Sequence, residues 1–189
     1  MKPFTLHTGI AAPLLRDNVD TDQIIPSREM KSVTKTGLGK GLFAGQRYLP
    51  NGLPNPDFVL NQADYKAATI LLSGKNFGCG SSREHAVWAL KEYGFRAVIA
   101  ESFGEIFYNN CIRNGILCVQ MTKAKIANLA HHLEIDLEAQ TVDGLHFNIP
   151  KGDKEMLVEG LDPIAMTLLL KDDIEAFIAR DKTKRSWAY

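Results

Sequence analysis

A glycine-rich stretch near the middle of the chain carries the side chains best suited to chemistry. It places Cys79 between two glycines and continues with Ser81, Ser82 and Arg83. Serine hydroxyls and a guanidinium fork can together hold a carboxylate, because both donate hydrogen bonds to oxygen. One interpretation of this stretch is therefore a binding site for a small dicarboxylic or hydroxy acid.

Three other interpretations of the same residues stay open on spacing alone. A dinucleotide loop would have a third glycine, but Arg83 stands at that position. A thiol nucleophile at Cys79 would need a base, for which His85 lies close in sequence. Ser81 and Glu84 also have the spacing of a capping box, which would make Ser81 a structural cap of the next helix.

The flanking segments predict a βαβ unit around this stretch. An apolar run at 69–72 precedes it, a helical pattern begins at Ser81 and stops at Gly94, and a second apolar run follows at 97–100. In such units a ligand binds at the carboxyl end of the strand, against the N-terminus of the helix. Ser81 therefore stands where a ligand is expected.

The remaining periodicity predicts further elements of an α/β fold. Ser102 and Glu105 have the spacing of a capping box and predict a helix that stops at Gly115, before a buried strand at 116–119. The other expected elements are a first strand at 4–8, a turn at Pro13, a helix at 123–133, a hairpin about Asp143-Gly144 with strands on either side, and a C-terminal helix capped by Asp162 with Pro163 at its first position.

Residues 31–61 form a long stretch with five glycines, three prolines and little periodicity. Loops of this length in compact domains are usually lids or binding loops. Leu38, Leu42 and Phe43 make the stretch too apolar for a simple linker. We expect it to close over a ligand or to lie against a partner, and we expect the tail at 182–189 to be mobile or bound to a partner.

Length and composition restrict the class of protein. The 189 residues suit one domain spanning 1–189, and Lys+Arg and Asp+Glu are both 22, so no broad basic surface is available for nucleic acid. No apolar run has the length of a membrane helix and no signal-like segment begins the chain, which indicates a cytoplasmic protein. The three cysteines form no ligand cluster, which argues against a disulfide framework and a self-contained zinc or iron–sulfur site.

Three aspartates crowd into six residues near the N-terminus. Asp17, Asp20 and Asp22 lack the glycine and the terminal glutamate of an EF-hand loop, so a calcium site of that type is excluded. Aspartates at this spacing also form Asx turns and cap helices. Their spacing alone leaves a structural and a functional interpretation open.

Several ordered motifs together resemble one known family. The stretch at 76–86 is similar to the signature of the swivelling domain of the aconitase superfamily, and more closely to the bacterial small subunits of the 3-isopropylmalate dehydratase (isopropylmalate isomerase) family. Further matches lie at 17–26, 35–39, 54–61, 88–90 and 102–108. The resemblance covers nearly the whole chain. It implies an α/β fold of the swivelling β/β/α type, with βαβ units, a hairpin in the C-terminal half and a long substrate loop at 31–61.

This resemblance implies an enzyme that acts as one of two subunits. Members of the family convert 2-isopropylmalate to 3-isopropylmalate in leucine biosynthesis, by dehydration to 2-isopropylmaleate and rehydration. The family's 4Fe-4S cluster is held by cysteines of a large subunit, so no metal ligand is expected in this chain. We therefore expect this chain to fold alone but to catalyse only with the large subunit.

The family's functional residues fall on matching positions of this sequence. Ser81 stands at the position of the alkoxide base, while Ser82 and Arg83 stand where a substrate carboxylate is held. Asp22 matches the aspartate of the aconitase Thr-Asp-His segment, in which Gln23 here replaces histidine, and is expected to orient a catalytic histidine of the partner.

Other positions are expected to contact the substrate away from the reacting carbon. Arg28 is a candidate for a further substrate arginine. Lys35, Gly37 and Leu38 begin the segment that reads the substrate's side chain in the family, and Lys35 stands where many relatives have arginine. Leu42 and Phe43 could add apolar contact. Related diacids (methylmalate/citraconate or homoaconitate) and a non-catalytic carboxylate-binding module are the competing hypotheses.

Overall fold

A mixed β-sheet forms the centre of the chain in the computed structural model, which describes residues 1–30 and 36–189. Within these residues the strands are β1 (Leu6–Leu14), β2 (Ile70–Ser73), β3 (Ala97–Ala100), β4 (Leu117–Gln120), β5 (His132–Asp136), β6 (Thr141–Val142) and β7 (Leu145–His146). They are ordered β4-β3-β2-β1-β5-β6-β7. Strands β1 to β4 are parallel, and β5, β6 and β7 continue the sheet in antiparallel pairs.

Helices connect the parallel strands and cover the sheet. The α-helices of the described residues are α1 (Thr21–Ile24), α2 (Ala44–Arg47), α3 (Glu84–Tyr93), α4 (Glu105–Asn114), α5 (Lys123–Ala127), α6 (Lys151–Glu159), α7 (Pro163–Leu168) and α8 (Lys171–Lys184). As predicted, α3 and α4 follow β2 and β3 and end at Gly94 and Gly115. Both glycines have positive φ, at 121° and 80°, which a glycine adopts at little cost.

Strand β1 is longer than the predicted first strand at 4–8. Its first half pairs antiparallel with β5 and its second half pairs parallel with β2. Pro13 lies inside the strand opposite Leu72, so the predicted turn at Pro13 is wrong. The long strand joins the parallel and antiparallel halves of the sheet.

Two apolar clusters cover the two faces of the sheet. Along β3, Val98 and Ala100 belong to one cluster, which includes the buried face of α3, whereas Ala97 and Ile99 belong to the other. This alternation follows from the two-residue period of a strand. Each fully buried Leu or Ile contributes about 1.5–3 kcal/mol relative to an exposed one, so both faces stabilise the sheet.

The second half of the chain departs from the predicted boundaries. The helix expected at 123–133 ends at Ala127, because Leu133 and Ile135 pair with Gly9 and His7 of β1 and are buried there. The predicted turn at Asp143-Gly144 is confirmed, with φ of 46° and 75°. The strands that it joins, β6 and β7, have only two residues each.

The described part of the long stretch, 36–61, lies against the body of the protein. It contains α2 and the short 3-10 turns Gly39–Gly41 and Val59–Asn61. Leu38, Leu42 and Phe43 are buried in the same cluster as α3. Lys35 lies outside the described residues.

The C-terminal helices bury little. Asp162 caps α7 as predicted, since its Oδ1 accepts the N–H of Ala165 at 2.8 Å, with Pro163 at the first helical position. No residue of α7 or α8 is fully buried. The exposed apolar side chains of these helices and of the two residues between them are Ile164, Leu168, Leu169, Leu170, Ile174 and Phe177. The expected tail at 182–189 begins within α8, which runs to Lys184.

None of the helices in the described ranges is both long enough and apolar enough to cross a bilayer.

Candidate functional site

The site is built where three parallel strands end. The loop after β1, the loop at 74–83 after β2 (the site loop) and the loop after β3 lie side by side at the carboxyl edge of the sheet. Two backbone hydrogen bonds join the site loop to the loop after β1. The Asn18 N–H donates to Lys75 O at 2.8 Å, and the Gly78 N–H donates to Val19 O at 2.7 Å. On its other side, Phe77 donates to Ser102 O at 2.9 Å. The predicted βαβ unit is thereby confirmed, with the site loop at the carboxyl end of β2.

Close packing explains a glycine in the site loop. Gly78 has a φ of +75°, and a Cβ built on it would lie 2.1 Å from Cγ of Phe107. Phe107 cannot easily move, because its ring packs edge-on against Phe77 with centroids 5.4 Å apart. A Cβ on Gly104 would likewise lie 2.7 Å from the Gly78 carbonyl oxygen. These glycines let two backbone segments and a phenyl ring pack together.

The predicted capping box of Ser102 and Glu105 does not form, and the capping interpretation of Ser81 is not supported either. Helix α3 begins at Glu84 with Arg83 at its N-cap and no side-chain cap, so Ser81 lies outside the first turn. The Ser102 Oγ instead accepts the backbone N–H of Asn76 at 2.8 Å. Each serine instead contacts a loop that is far away in sequence: Ser102 contacts Asn76, and Ser81 contacts Thr21.

The structure brings Ser81, Asp22 and Arg83 together. The Thr21 hydroxyl donates to the Ser81 carbonyl at 3.0 Å, and its Oγ1 lies 3.3 Å from Ser81 Oγ. Arg83 Nη1 donates to Asp22 Oδ1, with the Arg83 side chain 24% and the Asp22 side chain 55% exposed. Ser81 and Ser82 are exposed, so the rim that these residues form is open to solvent.

Short helix α1 positions Asp22 and Thr21. Asp20 caps this helix, because its Oδ1 accepts the Gln23 N–H at 2.7 Å. Thr21 is 2% exposed, and its N–H donates to Cys79 O at 2.9 Å. The structural interpretation of the aspartates therefore holds for Asp20, while Asp22 points to the rim. Thr21 was not predicted as a site residue, although it stands between Asp20 and Asp22.

The thiol of Cys79 is poorly suited to act as a nucleophile. Burial, and secondarily the nearby Asp20 carboxylate, raise the pKa of this thiol, so it stays protonated at neutral pH. The ring of His85 packs against Trp88, with centroids 4.8 Å apart. These observations do not support the hypothesis of a Cys79–His85 pair.

A metal cluster does not fit the cysteines of this chain. Cys111 and Cys118 are buried in the core, as expected of structural cysteines, and Cys79 lies in the site loop. Burial, and a hydrogen bond that the Cys111 thiol donates to Cys118, raise the pKa of Cys111, which opposes the thiolate form that a metal needs. Across 1–30 and 36–189, no group of three His, Cys, Asp or Glu side chains could hold a metal ion.

The residues at 36–41, here called the glycine segment, are held by two side chains that the sequence analysis did not identify. The Glu92 carboxylate accepts the N–H groups of Gly37, Leu38 and Gly39 at 2.7, 2.6 and 2.9 Å. These backbone donors, Gly37 first, lower the pKa of Glu92. The second side chain, Arg47, donates to the carbonyls of Gly39, Lys40 and Leu42 at 3.1–3.2 Å.

Of the other predicted contact residues, the apolar ones face inward and Arg28 lines a cleft. Leu38 is 3% exposed, and Leu42 and Phe43 are 0% exposed, so their side chains pack in the core instead of offering apolar contact to a ligand. Arg28 pairs with Glu29 at 3.1 Å and lines an open cleft of about 710 Å³ that Lys40 and Tyr48 also line. Arg28 follows Ser27, whose hydroxyl donates to Asp22 Oδ1 at 3.3 Å, so the cleft begins next to the rim of Ser81, Asp22 and Arg83.

Comparisons with known proteins agree with this architecture. The family described as Aconitase C-terminal domain matches residues 1–124. A 3-isopropylmalate dehydratase small subunit of Cupriavidus necator is 52% identical, over 100% of this chain and 99% of that protein. One from Bacillus licheniformis is 48% identical, over 99% of this chain and 98% of that protein. The crystal structure of a 3-isopropylmalate dehydratase from Methanocaldococcus jannaschii aligns with a TM-score of 0.68 at 28% identity, covering 90% of this chain and 98% of that one. The chain therefore belongs to the aconitase superfamily, in the family of 3-isopropylmalate dehydratase small subunits.

Proposed function

We propose that the chain is the small subunit of an isopropylmalate isomerase, a hydro-lyase of leucine biosynthesis, and that Ser81 is its base. The observation that carries the proposal is the convergence of Ser81, Arg83 and Asp22 on one open rim at the carboxyl ends of parallel strands. The full-length similarity to proteins named as such subunits supports the same reaction.

In this reaction Ser81 handles the carbon-bound proton. 2-Isopropylmalate loses water to give 2-isopropylmaleate, and water adds back with the hydroxyl on the neighbouring carbon. In the dehydration half, Ser81 takes the proton from that neighbouring carbon as an alkoxide. In the rehydration half, it returns a proton to the carbon that lost the hydroxyl. A positioned base of this kind contributes about 10²–10⁴-fold to a rate.

The alkoxide needs more stabilisation than the helix supplies. Helix α3 begins only at Glu84, and a helix N-terminus stabilises an anion by about 0.3–1 kcal/mol within its first turn. The Arg83 guanidinium is a further donor on this chain. The Thr21 hydroxyl, 3.3 Å from Ser81 Oγ, becomes another when its single hydrogen turns from the Ser81 carbonyl to the alkoxide. Such donors are most effective where water is excluded. Because Ser81 is exposed here, we infer that the large subunit must cover the rim before the chain can catalyse.

The Asp22–Arg83 ion pair is suited to exchange with substrate. Asp22 is more than half exposed, and an exposed ion pair is worth about 0–1 kcal/mol. A substrate carboxylate can therefore replace Asp22 on Arg83 at small cost, with Ser82 as a second donor. Asp22 then becomes free to orient a histidine of the large subunit.

The large subunit also supplies what this chain lacks. We propose that it carries the family's 4Fe-4S cluster, since the cysteines of this chain do not fit one. The exposed apolar residues of α7 and α8 support a covering subunit, because large exposed apolar patches mark protein interfaces.

The predicted reading of the substrate's side chain remains part of this proposal. Lys35, Gly37 and Leu38 remain its candidate residues, and Leu38 would act through its backbone because its side chain is buried. Arg28 remains a candidate for a second contact with a carboxylate, from its position at the cleft.

The test is reconstitution with a bacterial isopropylmalate isomerase large subunit that contains its cluster. We expect the two chains to copurify and to isomerise 2-isopropylmalate, with no turnover by either chain alone. Turnover of methylmalate or homoaconitate in clear preference to isopropylmalate would overturn the substrate assignment. A copurified pair that turns over none of these acids would favour a carboxylate-binding module.

A further inference from the structure

The glycine segment carries an anion-binding arrangement that is already occupied from within the chain. Three successive backbone N–H groups, those of Gly37, Leu38 and Gly39, converge on the carboxylate of Glu92. Such successive amides form a concave site for an anion. The anion here is a side chain from the last turn of α3.

Helix α3 thereby connects two parts of the proposed active centre. Ser81 and Arg83 immediately precede its first turn, and Glu92 is its next-to-last residue. The helix is rigid, and its ten residues span about 15 Å. An anchor at Glu92 therefore fixes the glycine segment relative to the rim that carries Ser81.

We propose that Glu92 is a positioning residue, which holds the glycine segment against α3 and so fixes Gly37 and Leu38, which the proposed function assigns to recognition of the substrate's side chain. This inference rests on the proposed function. The anchor itself does not, because it is a set of contacts within this chain. Glu92 acts through the backbone of 37–39 and touches no reacting atom.

The contacts of Glu92 are strong enough for this role. Hydrogen bonds to an ionised carboxylate are about twice as strong as neutral ones. The backbone hydrogen bonds of the described residues include none that is donated by Gly37, Leu38 or Gly39, so Glu92 is the acceptor that protects these amides. Removal of the carboxylate therefore leaves three donors to water while the buried Leu38 still packs in the core.

The first measurement is amide hydrogen exchange, which needs no substrate. In the full chain, we expect exchange of the 37–39 amides to speed up by about tenfold in Glu92→Gln and more in Glu92→Ala, because a hydrogen bond to a charged group is worth about a decade or more in equilibrium. Glu92→Asp should restore part of the protection. Glu134→Gln, an exposed glutamate of β5, is the control and should change nothing. Unchanged exchange in Glu92→Ala would overturn the anchor.

The second measurement is steady-state kinetics of the reconstituted pair. For Glu92→Gln we expect KM for isopropylmalate to rise by about fivefold to tenfold with kcat within about twofold, since one or two methylene-sized contacts discriminate by roughly this factor. Unchanged kinetics together with faster exchange would overturn the positioning role. An equal fall in kcat would also overturn it. A wild-type pair without isomerase activity would refute the proposed function instead. The amide exchange measurement would still test whether Glu92 anchors the glycine segment.

Discussion

Two glycine-rich stretches of this chain are held in place by different means. The site loop is tied by main-chain hydrogen bonds to the loops on both sides of it, and Gly78 is required there because Phe107 fills the space of a side chain. The glycine segment is held by two side chains, Glu92 and Arg47. The sheet itself therefore fixes the loop that carries Ser81, whereas single substitutions can loosen the other loop. Four substitutions test this comparison.

The largest effect is expected from Gly78→Ala in the site loop. Its new Cβ would overlap the Phe107 ring at a positive φ, and overpacking and backbone strain cost about 1–3 and 1–2 kcal/mol respectively. We expect a loss of about 3 kcal/mol in the free energy of unfolding, measured by urea denaturation. The matched variant is Gly37→Ala, which has a φ of +86° but no atom within 4 Å of its Cβ. Gly37→Ala should lose only the free energy of unfolding that backbone strain accounts for. Equal losses in both variants would contradict the comparison.

Arg47→Met tests the glycine segment. Arg47 is 8% exposed, and its guanidinium also donates to the Tyr48 hydroxyl at 2.6 Å. Its removal takes the donor from the buried Leu42 carbonyl and from the part-buried Lys40 carbonyl, and an unpaired buried carbonyl costs about 1–3 kcal/mol. We expect a loss of about 2 kcal/mol in the free energy of unfolding, measured by urea denaturation, against less than about 0.5 kcal/mol for the exposed Arg180→Met. A loss as small as that of the control would mean that the segment does not depend on Arg47.

A smaller effect on stability, but a clear one on turnover, is expected from Thr21→Val. The substitution keeps the shape of the buried side chain and removes the hydroxyl that contacts Ser81. We expect a loss of about 1 kcal/mol in stability and a fall of about tenfold in kcat of the reconstituted pair. Thr21→Ser should recover most of the turnover, and Thr8→Val on β1 should have no effect. Full turnover in Thr21→Val would show that the Thr21 hydroxyl does not assist Ser81 in catalysis.

The fold was predictable where the signals are local. Glycines at the ends of α3 and α4, the Asp143-Gly144 turn and the Asp162 cap each depend on a few neighbouring residues, and the structure confirms them. The predictions failed where a distant segment competes for the same groups. Ser102 binds the backbone of Asn76 instead of capping a helix.

The site was predictable only in part. A resemblance to a known family singled out Ser81, Asp22 and Arg83, and the structure brings these three together. Thr21 contacts Ser81 because the loop after β1 meets the loop after β2. Spacing along the chain does not reveal a contact of this kind. Glu92 lies 55 residues from Gly37 in sequence, so no local pattern could indicate that contact.

The central claim is that the hydroxyl of Ser81 performs the proton transfer, and turnover of the reconstituted pair carrying Ser81→Ala tests it most directly. The account predicts that kcat falls by at least about a hundredfold, while copurification with the large subunit and the free energy of unfolding stay within error of wild type. Ser186→Ala, in the C-terminal 3-10 turn, is the matched control and should keep its activity. Turnover of Ser81→Ala within about twofold of wild type would contradict the account.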